Sequence, residues 1–257
     1  MTARKSAEPL VLYEEQGQVA LISMNRPASR NAWNIPLVRE LKDAVRRANA
    51  SDVVRVIILT GEGSVYCAGA DIKAPPEPRD ANGLSPNPST LTMGREENNW
   101  LKLLSQSKPT IVALNGPAVG IGATHTLCAD IRIAAESTVF SFPFVKYGAM
   151  PECGSTAMMA QIIGFGRAMD ICLRAAQVTA AEALRIGLVT AVHPDDRLRE
   201  EALAMAAAMA AFPPMQMGLA KRLLWENLGE RDPEEVMRRE RQAFFELLKA
   251  TGRSKPL

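Results

Sequence analysis

Three short segments of the 257-residue sequence combine small residues with groups that could bind an anion or move a proton. Residues 66–73 and 115–123 each follow an apolar run that predicts a strand, and both contain glycine and alanine. Small residues let a ligand lie against the backbone, and a helix that begins after a glycine turn presents free N–H groups to negative charge. The third segment, residues 148–155, carries one carboxylate, Glu152, which could act as a general acid or base.

Each of these features also has a plainer interpretation when it is taken alone. Glycine turns after strands are common, and Glu152 fits a first-turn acid that complements a helix dipole. His125, on an apolar helix, fits a core or interface histidine better than a ligand. Gly120 and Gly122 lack the third glycine of a dinucleotide fingerprint, and the sequence contains no GxxxxGK[ST] phosphate-binding loop.

Composition narrows the class of protein further. The 30 basic and 28 acidic residues leave a net charge of +2, which gives no reason to expect nucleic acid as the main partner. No apolar run approaches the roughly 20 residues that span a membrane, and no apolar region follows the N-terminal basic residues. We therefore expect a cytoplasmic protein without a membrane partner. No metal site is predicted, because there are only two histidines and no CxxC pair among the four cysteines, which we expect to be reduced thiols.

The first half of the sequence predicts an α/β arrangement. Residues 11–15 and 18–24 are apolar runs on either side of Gly17 and predict a hairpin. Asn34 and Pro36 are typical of a helix start, and residues 53–60 predict a strand that is buried on both faces. Further strands are expected at 110–114, 131–134 and 139–142, after a proline-rich loop over 74–90 and a helical stretch over 91–106. The remaining sequence predicts helices at about 155–163, 166–176, 179–186, 195–211, 214–227 and 233–249.

The sequence resembles the crotonase family, also called the enoyl-CoA hydratase/isomerase family, from about Val11 to about Thr251. The motifs that carry the resemblance are Asn25-Arg26-Pro27 with Asn31-Ala32, AGADIK at 68–73, NGPAVGIG at 115–122, ADIRIA at 129–134 and AAEALRIGLVTAV at 180–192. The resemblance implies an α/β fold with a crotonase-like spiral of ββα turns in residues 1–193. It also implies a helical C-terminal oligomerisation region in residues 194–257 that forms homotrimers or dimers of trimers.

The resemblance also implies an acyl-CoA thioester substrate, with no cofactor beyond the coenzyme A that the substrate carries. The backbone N–H groups of Ala70 and Ile121 match the oxyanion hole that binds the thioester oxygen. The positions that match the coenzyme A path and its phosphate-binding cations are Arg30, Ala68, Asp71, Ile72, Lys73 and Gly120.

Two departures from the family pattern bear on the reaction. Family hydratases use two glutamates, and the matching positions here are Thr124 and Phe144, which we assign to the acyl pocket. Neither can exchange a proton near neutral pH, so the pair that would add water across a double bond is missing. Glu152 instead matches the late carboxylate of an isomerase branch, and the neighbouring apolar side chains are expected to raise its pKa. The sequence therefore favours a delta3-delta2-enoyl-CoA isomerase with Glu152 as the proton shuttle.

Three alternatives stay open at this point. A hydratase could work with Glu152 alone, and an acyl-CoA hydrolase or dehalogenase could use a carboxylate as its nucleophile, although the aromatic residues that help displacement are only partly present. A protein of another class, a catalytically silent coenzyme A-binding protein, would need no carboxylate at position 152. A panel of enoyl and hydroxyacyl thioesters with product identification separates them.

Overall fold

The computed structural model describes residues 8–73 and 99–252. The described residues form a six-stranded sheet, a three-stranded sheet and nine α-helices, three of them in one run at the C-terminal end. This is the α/β architecture with a helical C-terminal region that the sequence predicts. The predicted loop at 74–90 and the first part of the predicted helix at 91–106 lie outside the described residues.

The bounds of the elements follow chain order. The strands are β1 Val11–Gln16, β2 Val19–Met24, β3 Val56–Gly61, β4 Thr110–Leu114, β5 Ala118–Val119, β6 Ile131–Ala135, β7 Val139–Ser141, β8 Gln177–Thr179 and β9 Ala191–His193. The helices are α1 Ile35–Ala50, α2 Trp100–Ser105, α3 Ile121–Thr124, α4 Ser155–Ile163, α5 Phe165–Arg174, α6 Ala180–Arg185, α7 Leu198–Ala210, α8 Pro214–Glu226 and α9 Pro233–Thr251.

The large sheet has the strand order β1-β2-β3-β4-β6-β9. β1 and β2 form the predicted antiparallel hairpin, and every other pairing in this sheet is parallel. All residues of β2, β3 and β4 are buried. Helices cover both faces of such a sheet, which is why these strands are nearly continuous apolar runs.

A helix packs on each face of the large sheet. On one face lies α1, which starts as predicted: Asn34 is its N-cap, with the side-chain oxygen accepting a 3.0 Å hydrogen bond from Leu37 N–H, and Pro36 lies in its first turn. On the other face, α7 buries a stripe of small residues against the strands: Leu198, Ala202, Ala206 and Ala210. The proposed division between residues 1–193 and 194–257 stays a prediction.

The small sheet has the order β5-β7-β8. Next to it are two isolated parallel bridges, one between Cys67 and Ala118 of β5 and one between Trp33 and Ala70. Segments that are far apart in the sequence are therefore brought side by side by main-chain pairing.

Several predicted boundaries were wrong by a few residues. The helix expected from residue 195 begins at Leu198, because the chain first makes a turn in which Pro194 C=O accepts from Arg197 and Leu198 N–H. The helix expected to reach residue 176 ends at Arg174, because Ala175 adopts a left-handed conformation with φ 50°. The short strands β5, β8 and β9 were not predicted, since two or three residues carry too little periodicity.

Within residues 8–73 and 99–252, no single helix is long and apolar enough to cross a membrane. Helices α7 and α8 satisfy the length and composition criteria only as a pair, and their axes are bent by 106° relative to each other.

Candidate active site

A cavity of about 1310 Å³ brings the three sequence segments together. It lies where residues 26–34, residues 68–73, the start of α3 and the turn before α4 meet. Ten of the eleven predicted site residues line it: Arg30, Ala68, Ala70, Asp71, Ile72, Lys73, Gly120, Ile121, Phe144 and Glu152. The exception is Thr124.

Ala70 is held at the cavity by main-chain pairing with Trp33. Trp33 N–H donates to Gly69 C=O over 2.7 Å, and Asp71 N–H donates to Trp33 C=O over 3.0 Å. These two bonds flank Ala70 and leave its own N–H without an acceptor among the described residues. An N–H group fixed in this way is available to a ligand oxygen.

Ile121 presents the second N–H group at the first residue of α3. Gly120, with φ 55°, turns the chain into the helix, and its C=O accepts from Ala123 and Thr124 N–H. The Ile121 N–H has no acceptor among the described residues, as expected for the first turn of a helix. A ligand oxygen at this position could accept a hydrogen bond from Ile121 N–H in addition to one from Ala70 N–H.

The two segments that carry these N–H groups lie in direct backbone contact. Val119 N–H donates to Cys67 C=O over 2.9 Å, and Cys67 N–H donates to Pro117 C=O over 3.2 Å. A Cβ atom at Gly122 would lie 2.5 Å from Cys67 O and 2.8 Å from Cys67 Sγ. Only glycine fits at position 122, which explains one glycine of the NGPAVGIG motif.

An ion pair and a buried amide stabilise the position of residues 68–71. Neither contact was predicted from the sequence. Asp71 pairs with Arg26 over 2.9 Å, with both side chains less than a fifth exposed. Asn31 is fully buried; its Nδ2 donates to Glu62 and Val65 C=O, and its Oδ1 accepts from Arg26 N–H. The Asn-Arg-Pro and Asn-Ala motif thus positions residues 68–71, and the Asp71 carboxylate is engaged within the protein.

The mouth of the cavity is exposed and basic on one side. Arg30 and Lys73 are exposed residues at this edge, and Ile72 between them is 93% exposed. Ala68 N–H donates to Arg30 C=O over 3.0 Å, which holds the two edges of the mouth together. Two cations and an apolar side chain therefore line the same edge of the cavity.

Glu152 lies on the opposite side, in a turn of left-handed residues. Gly148, Cys153 and Gly154 have φ values of 66°, 63° and 71°. Glu152 C=O accepts from Ser155 N–H, and Cys153 C=O accepts from Cys128 Sγ, so the backbone is held at Glu152 and at the residue that follows it. The apolar enclosure that the sequence predicts is only partial, since Glu152 is half-buried and Met150 is 73% exposed.

The two positions that match the hydratase glutamates differ in their surroundings. Phe144 is 8% exposed, lines the cavity, and its C=O accepts from Tyr147 and Ala149 N–H. Thr124 is fully buried behind Ile121, and its Oγ1 lies 3.5 Å from Ile121 O. Neither side chain carries an ionisable acid or base to this cavity.

His125 is a core residue, as the sequence indicates. It is 1% exposed, and burial lowers its pKa to about 3, so the ring is neutral at physiological pH. Its ring contacts Trp33, Tyr66 and Trp100. In the part of the chain that the structure describes, no group of three His, Cys, Asp or Glu side chains could hold a metal ion.

Two backbone N–H groups without an acceptor among the described residues, a carboxylate and two cationic side chains line one cavity, and together they indicate a class of site. Free N–H groups beside a helix start stabilise an oxygen on which negative charge develops, and a nearby carboxylate can exchange a proton with the adjacent carbon. On a crotonase-type fold, this is the arrangement of an acyl-thioester enzyme.

Comparison with known proteins agrees with the fold. The family model described as enoyl-CoA hydratase/isomerase matches residues 14–255. A Mycobacterium tuberculosis protein named Probable enoyl-CoA hydratase EchA12 is 36% identical over 251 residues, covering 96% of this chain and 88% of its own. The chain belongs to the enoyl-CoA hydratase/isomerase family, which is also called the crotonase family. It is an enzyme that acts on acyl-CoA.

Solved structures share the fold over nearly the whole chain. A monofunctional enoyl CoA isomerase from M. smegmatis superposes with a TM-score of 0.74 at 31% identity, over 89% of this chain and 98% of its own. A Thermobifida fusca YX structure in complex with acetoacetyl-CoA has a TM-score of 0.80 at 26% identity, over 94% of this chain and 96% of its own.

Proposed function

We propose that the protein is a delta3-delta2-enoyl-CoA isomerase in which Glu152 carries a proton from C2 to C4 of the acyl group. The observation that carries this proposal is the placement of the carboxylates: Glu152 lines the cavity and is the carboxylate that sequence and family pattern single out, whereas neither position of the hydratase glutamates carries an acid, since Phe144 lines the cavity and Thr124 is buried outside it. The M. smegmatis structure named as an isomerase supports it as a relative of similar fold.

The reaction requires one base and one oxyanion site. Glu152 removes a C2 proton of a 3-enoyl thioester, and the electron pair of the C–H bond forms a dienolate whose charge lies on the thioester oxygen. Ala70 and Ile121 N–H donate to that oxygen. Protonated Glu152 then delivers the proton to C4, the C3–C4 double bond becomes single and the C2–C3 bond becomes double. Atoms balance without a further reactant, so we propose no cofactor beyond the coenzyme A of the substrate.

Binding of the coenzyme A part is proposed at the mouth of the cavity. Arg30 and Lys73 would contact phosphate groups, and Ala68, Ile72 and Gly120 would line the path of the pantetheine arm and the adenine. Asp71 would act through the backbone, since its carboxylate already pairs with Arg26. Phe144 would bound the acyl group on the side that faces Glu152.

Hydration is the second candidate function, because the relatives that match most of the chain include proteins named as hydratases. Adding water to a 2-enoyl thioester calls for one group to activate the water and another to protonate C2. Glu152 alone would have to serve both purposes in turn. Hydrolysis or dehalogenation with a carboxylate nucleophile is less well supported, because Glu152 lies in a turn with an exposed Met150 rather than within an aromatic enclosure.

A labelled substrate tests the proton shuttle. A 3-enoyl thioester carrying deuterium at C2 is incubated with the enzyme in ordinary water, and the product is analysed for label at C4. We expect a 2-enoyl product with part of the deuterium at C4, because one carboxylate removes and returns it. A 3-hydroxyacyl product as the main outcome would contradict the proposal and favour hydration.

We also propose that the C-terminal helices assemble the chain into a homotrimer or a dimer of trimers. The large apolar side chains of this region that are most exposed in the single chain are Phe212, Leu224, Met237 and Phe245. An exposed apolar surface of this kind is typical of protein–protein contacts. Light scattering coupled to size-exclusion chromatography measures the assembly, and a monomer at micromolar concentration would contradict it.

A further inference from the structure

Two cysteines lie in contact with each other in the interior, and one of them directly follows Glu152. The Sγ atoms of Cys128 and Cys153 are 3.8 Å apart, and Cys128 Sγ also donates to Cys153 C=O over 3.3 Å. Cys128 is fully buried and Cys153 is 5% exposed. All four cysteines of the chain are free thiols in the structure, and Cys172 Sγ contacts Met159 Sδ rather than another cysteine. We call Cys128 and Cys153 the cysteine pair.

The separation within the cysteine pair is close to that of a covalent bond. A disulfide has an S–S bond of about 2.0 Å, so the two sulfur atoms must approach each other by about 1.8 Å. Side-chain rotation together with a shift of the turn that contains Cys153 brings them together. Forming the bond therefore changes the position of that turn.

The turn is sensitive to such a change because of the conformation of Cys153. Its φ of 63° lies in the left-handed region, which is uncommon for a residue with a side chain and persists only where the surroundings hold it. The hydrogen bond from Cys128 Sγ to Cys153 C=O is one of the contacts that hold it. A disulfide has no S–H group, so its formation removes this donor as well as pulling on the side chain.

The surroundings of the two thiols indicate which one reacts first. Cys153 is the more exposed, and its neighbour Glu152 lines the cavity of the candidate active site. The hydrogen bond with Cys128 and burial raise the pKa of the Cys153 thiol well above its ordinary value, and the buried Lys42 ammonium acts in the opposite direction. Because the thiolate is the nucleophile, we expect slow oxidation at neutral pH and faster oxidation as pH rises.

We propose that the cysteine pair is a modification site, at which hydrogen peroxide forms a disulfide that displaces Glu152. The Cys153 thiolate attacks the peroxide O–O bond, becomes a sulfenic acid and releases hydroxide, which takes up the proton that the thiol lost. Cys128 Sγ then attacks the sulfenic sulfur, and the S–OH oxygen leaves as water with the Cys128 proton. The two thiols together lose two electrons and two protons, and one peroxide molecule becomes two water molecules.

The disulfide would link the two walls of the candidate active site. Cys128 ends the 3-10 helix that directly follows α3, and Ile121 is the first residue of α3. Cys153 belongs to the turn that carries Glu152. A displacement of about 1 Å at a reacting group can lower turnover about hundredfold. The loss of turnover rests on the proposed role of Glu152, whereas formation of the disulfide does not.

Peptide mapping tests the modification itself. Folded wild type is incubated with hydrogen peroxide at about pH 7 and about pH 9, the remaining thiols are blocked at low pH with a maleimide, and tryptic peptides are analysed without reduction. Arg132 and Lys146 lie between the two cysteines, so trypsin leaves Cys128 and Cys153 on separate peptides. We expect these two peptides to be linked, with two hydrogens lost and a larger yield at the higher pH. Oxidation of the more exposed Cys172 without this link would overturn the proposal.

Turnover of the same samples tests the effect on the active site. We expect the linked wild type to lose about tenfold to hundredfold in kcat and to recover it after reduction with dithiothreitol. Cys128→Ala and Cys153→Ala cannot form the bond, so each should keep its own kcat in peroxide. Both variants retain the exposed Met150 and thus control for methionine oxidation. Cys172→Ala keeps the cysteine pair and should lose turnover as wild type does.

A fully linked wild type with unchanged kcat would overturn the displacement of Glu152, provided that Glu152→Gln is inactive. If Glu152→Gln is active as well, the proposed function has failed instead, and peptide mapping still decides on the disulfide. If one alanine variant does not fold, the other serves, and mapping of wild type needs neither. The assay uses whichever acyl-CoA thioester the enzyme converts, so the result does not depend on isomerisation being the reaction.

Discussion

The wall of the cavity that carries Ala70 and Ile121 is built from main-chain groups, whereas the wall that carries Glu152 acts through one side chain. Bridges from Trp33 to Ala70 and from Cys67 to Ala118 fix the first wall. The second is a turn with three left-handed residues before α4.

This difference separates what the fold provides from what the reaction requires. Backbone N–H groups survive almost any side-chain replacement, so we expect the first wall to keep its two donors whichever reaction the second wall performs. The second wall changes function when one or two side chains change. Membership of the family therefore establishes an acyl-CoA enzyme, and we propose that the choice between isomerisation and hydration depends on positions 124, 144 and 152.

Replacing the carboxylate should have the largest effect on turnover. Glu152→Gln keeps the shape of the side chain and removes its ability to exchange a proton, so we expect kcat to fall by at least ~10²-fold. Affinity for an acyl-CoA thioester should stay near the wild-type value, because the N–H groups and the cationic mouth are untouched. Steady-state kinetics with calorimetric titration measures both, and an unchanged kcat would remove Glu152 from the mechanism.

Disturbing the wall that carries Ala70 and Ile121 should have a similar or smaller effect on kcat than replacing Glu152. It should also affect the stability of the folded protein. Gly122→Ala places a methyl group 2.5 Å from Cys67 O, so α3 or residues 67–70 must shift. We expect kcat to fall by about 10²–10³, the loss seen when an oxyanion donor is removed. Gly166→Ala in α5 is the control, since a Cβ there meets nothing within 4 Å. Equal kcat values for the two variants would show that turnover does not depend on the exact position of the Ile121 N–H group.

Acid should destabilise the folded protein through His125. Its pKa is lowered from 6.5 to about 3 in the folded state, so between these values the unfolded chain binds more protons than the folded one. Stability is therefore lost as pH falls below about 6.5, by a few kcal/mol at most by pH 3. Urea unfolding of wild type and His125→Leu over this range isolates the contribution, because all carboxylates are common to both. Parallel pH profiles would contradict it.

The smallest effects are expected at the mouth of the cavity. Arg30→Ala and Lys73→Ala should each raise KM a few-fold and leave kcat nearly unchanged, because a contact to coenzyme A phosphate acts equally on ground and transition states. The KM difference should shrink with added salt. Arg185→Ala, at an exposed position on α6, serves as the control. If Arg30→Ala and Lys73→Ala match that control, the two cations are surface charges.

Local sequence signals located most elements correctly, and the three segments that they singled out line one cavity. The Asn34 cap, the hairpin and the buried strands follow from periodicity and capping chemistry, which depend on neighbours in the sequence. The convergence of residues 68–73, 120–121 and 152 on one cavity came from the family resemblance. Whether each residue has the assigned role stays a prediction.

Long-range polar contacts had no local signal. Asp71 pairs with Arg26 across 45 residues, and Asp130 accepts from Trp225 Nε1 and pairs with Lys221 of α8. The ring of His125 likewise contacts the rings of Trp33, Tyr66 and Trp100, which come from separate segments of the sequence. These contacts depend on how the chain returns to itself, which neither helical nor strand periodicity encodes.

Turnover of matched 3-enoyl and 2-enoyl thioesters by the wild-type enzyme, with products identified in the same assay, tests the central claim most directly. The account predicts that the 3-enoyl thioester is converted to the 2-enoyl form faster than the 2-enoyl thioester is hydrated, and that Glu152→Gln abolishes the conversion. Rapid formation of the 3-hydroxyacyl thioester from the 2-enoyl substrate, without isomerisation of the 3-enoyl one, would contradict it and assign the enzyme as a hydratase.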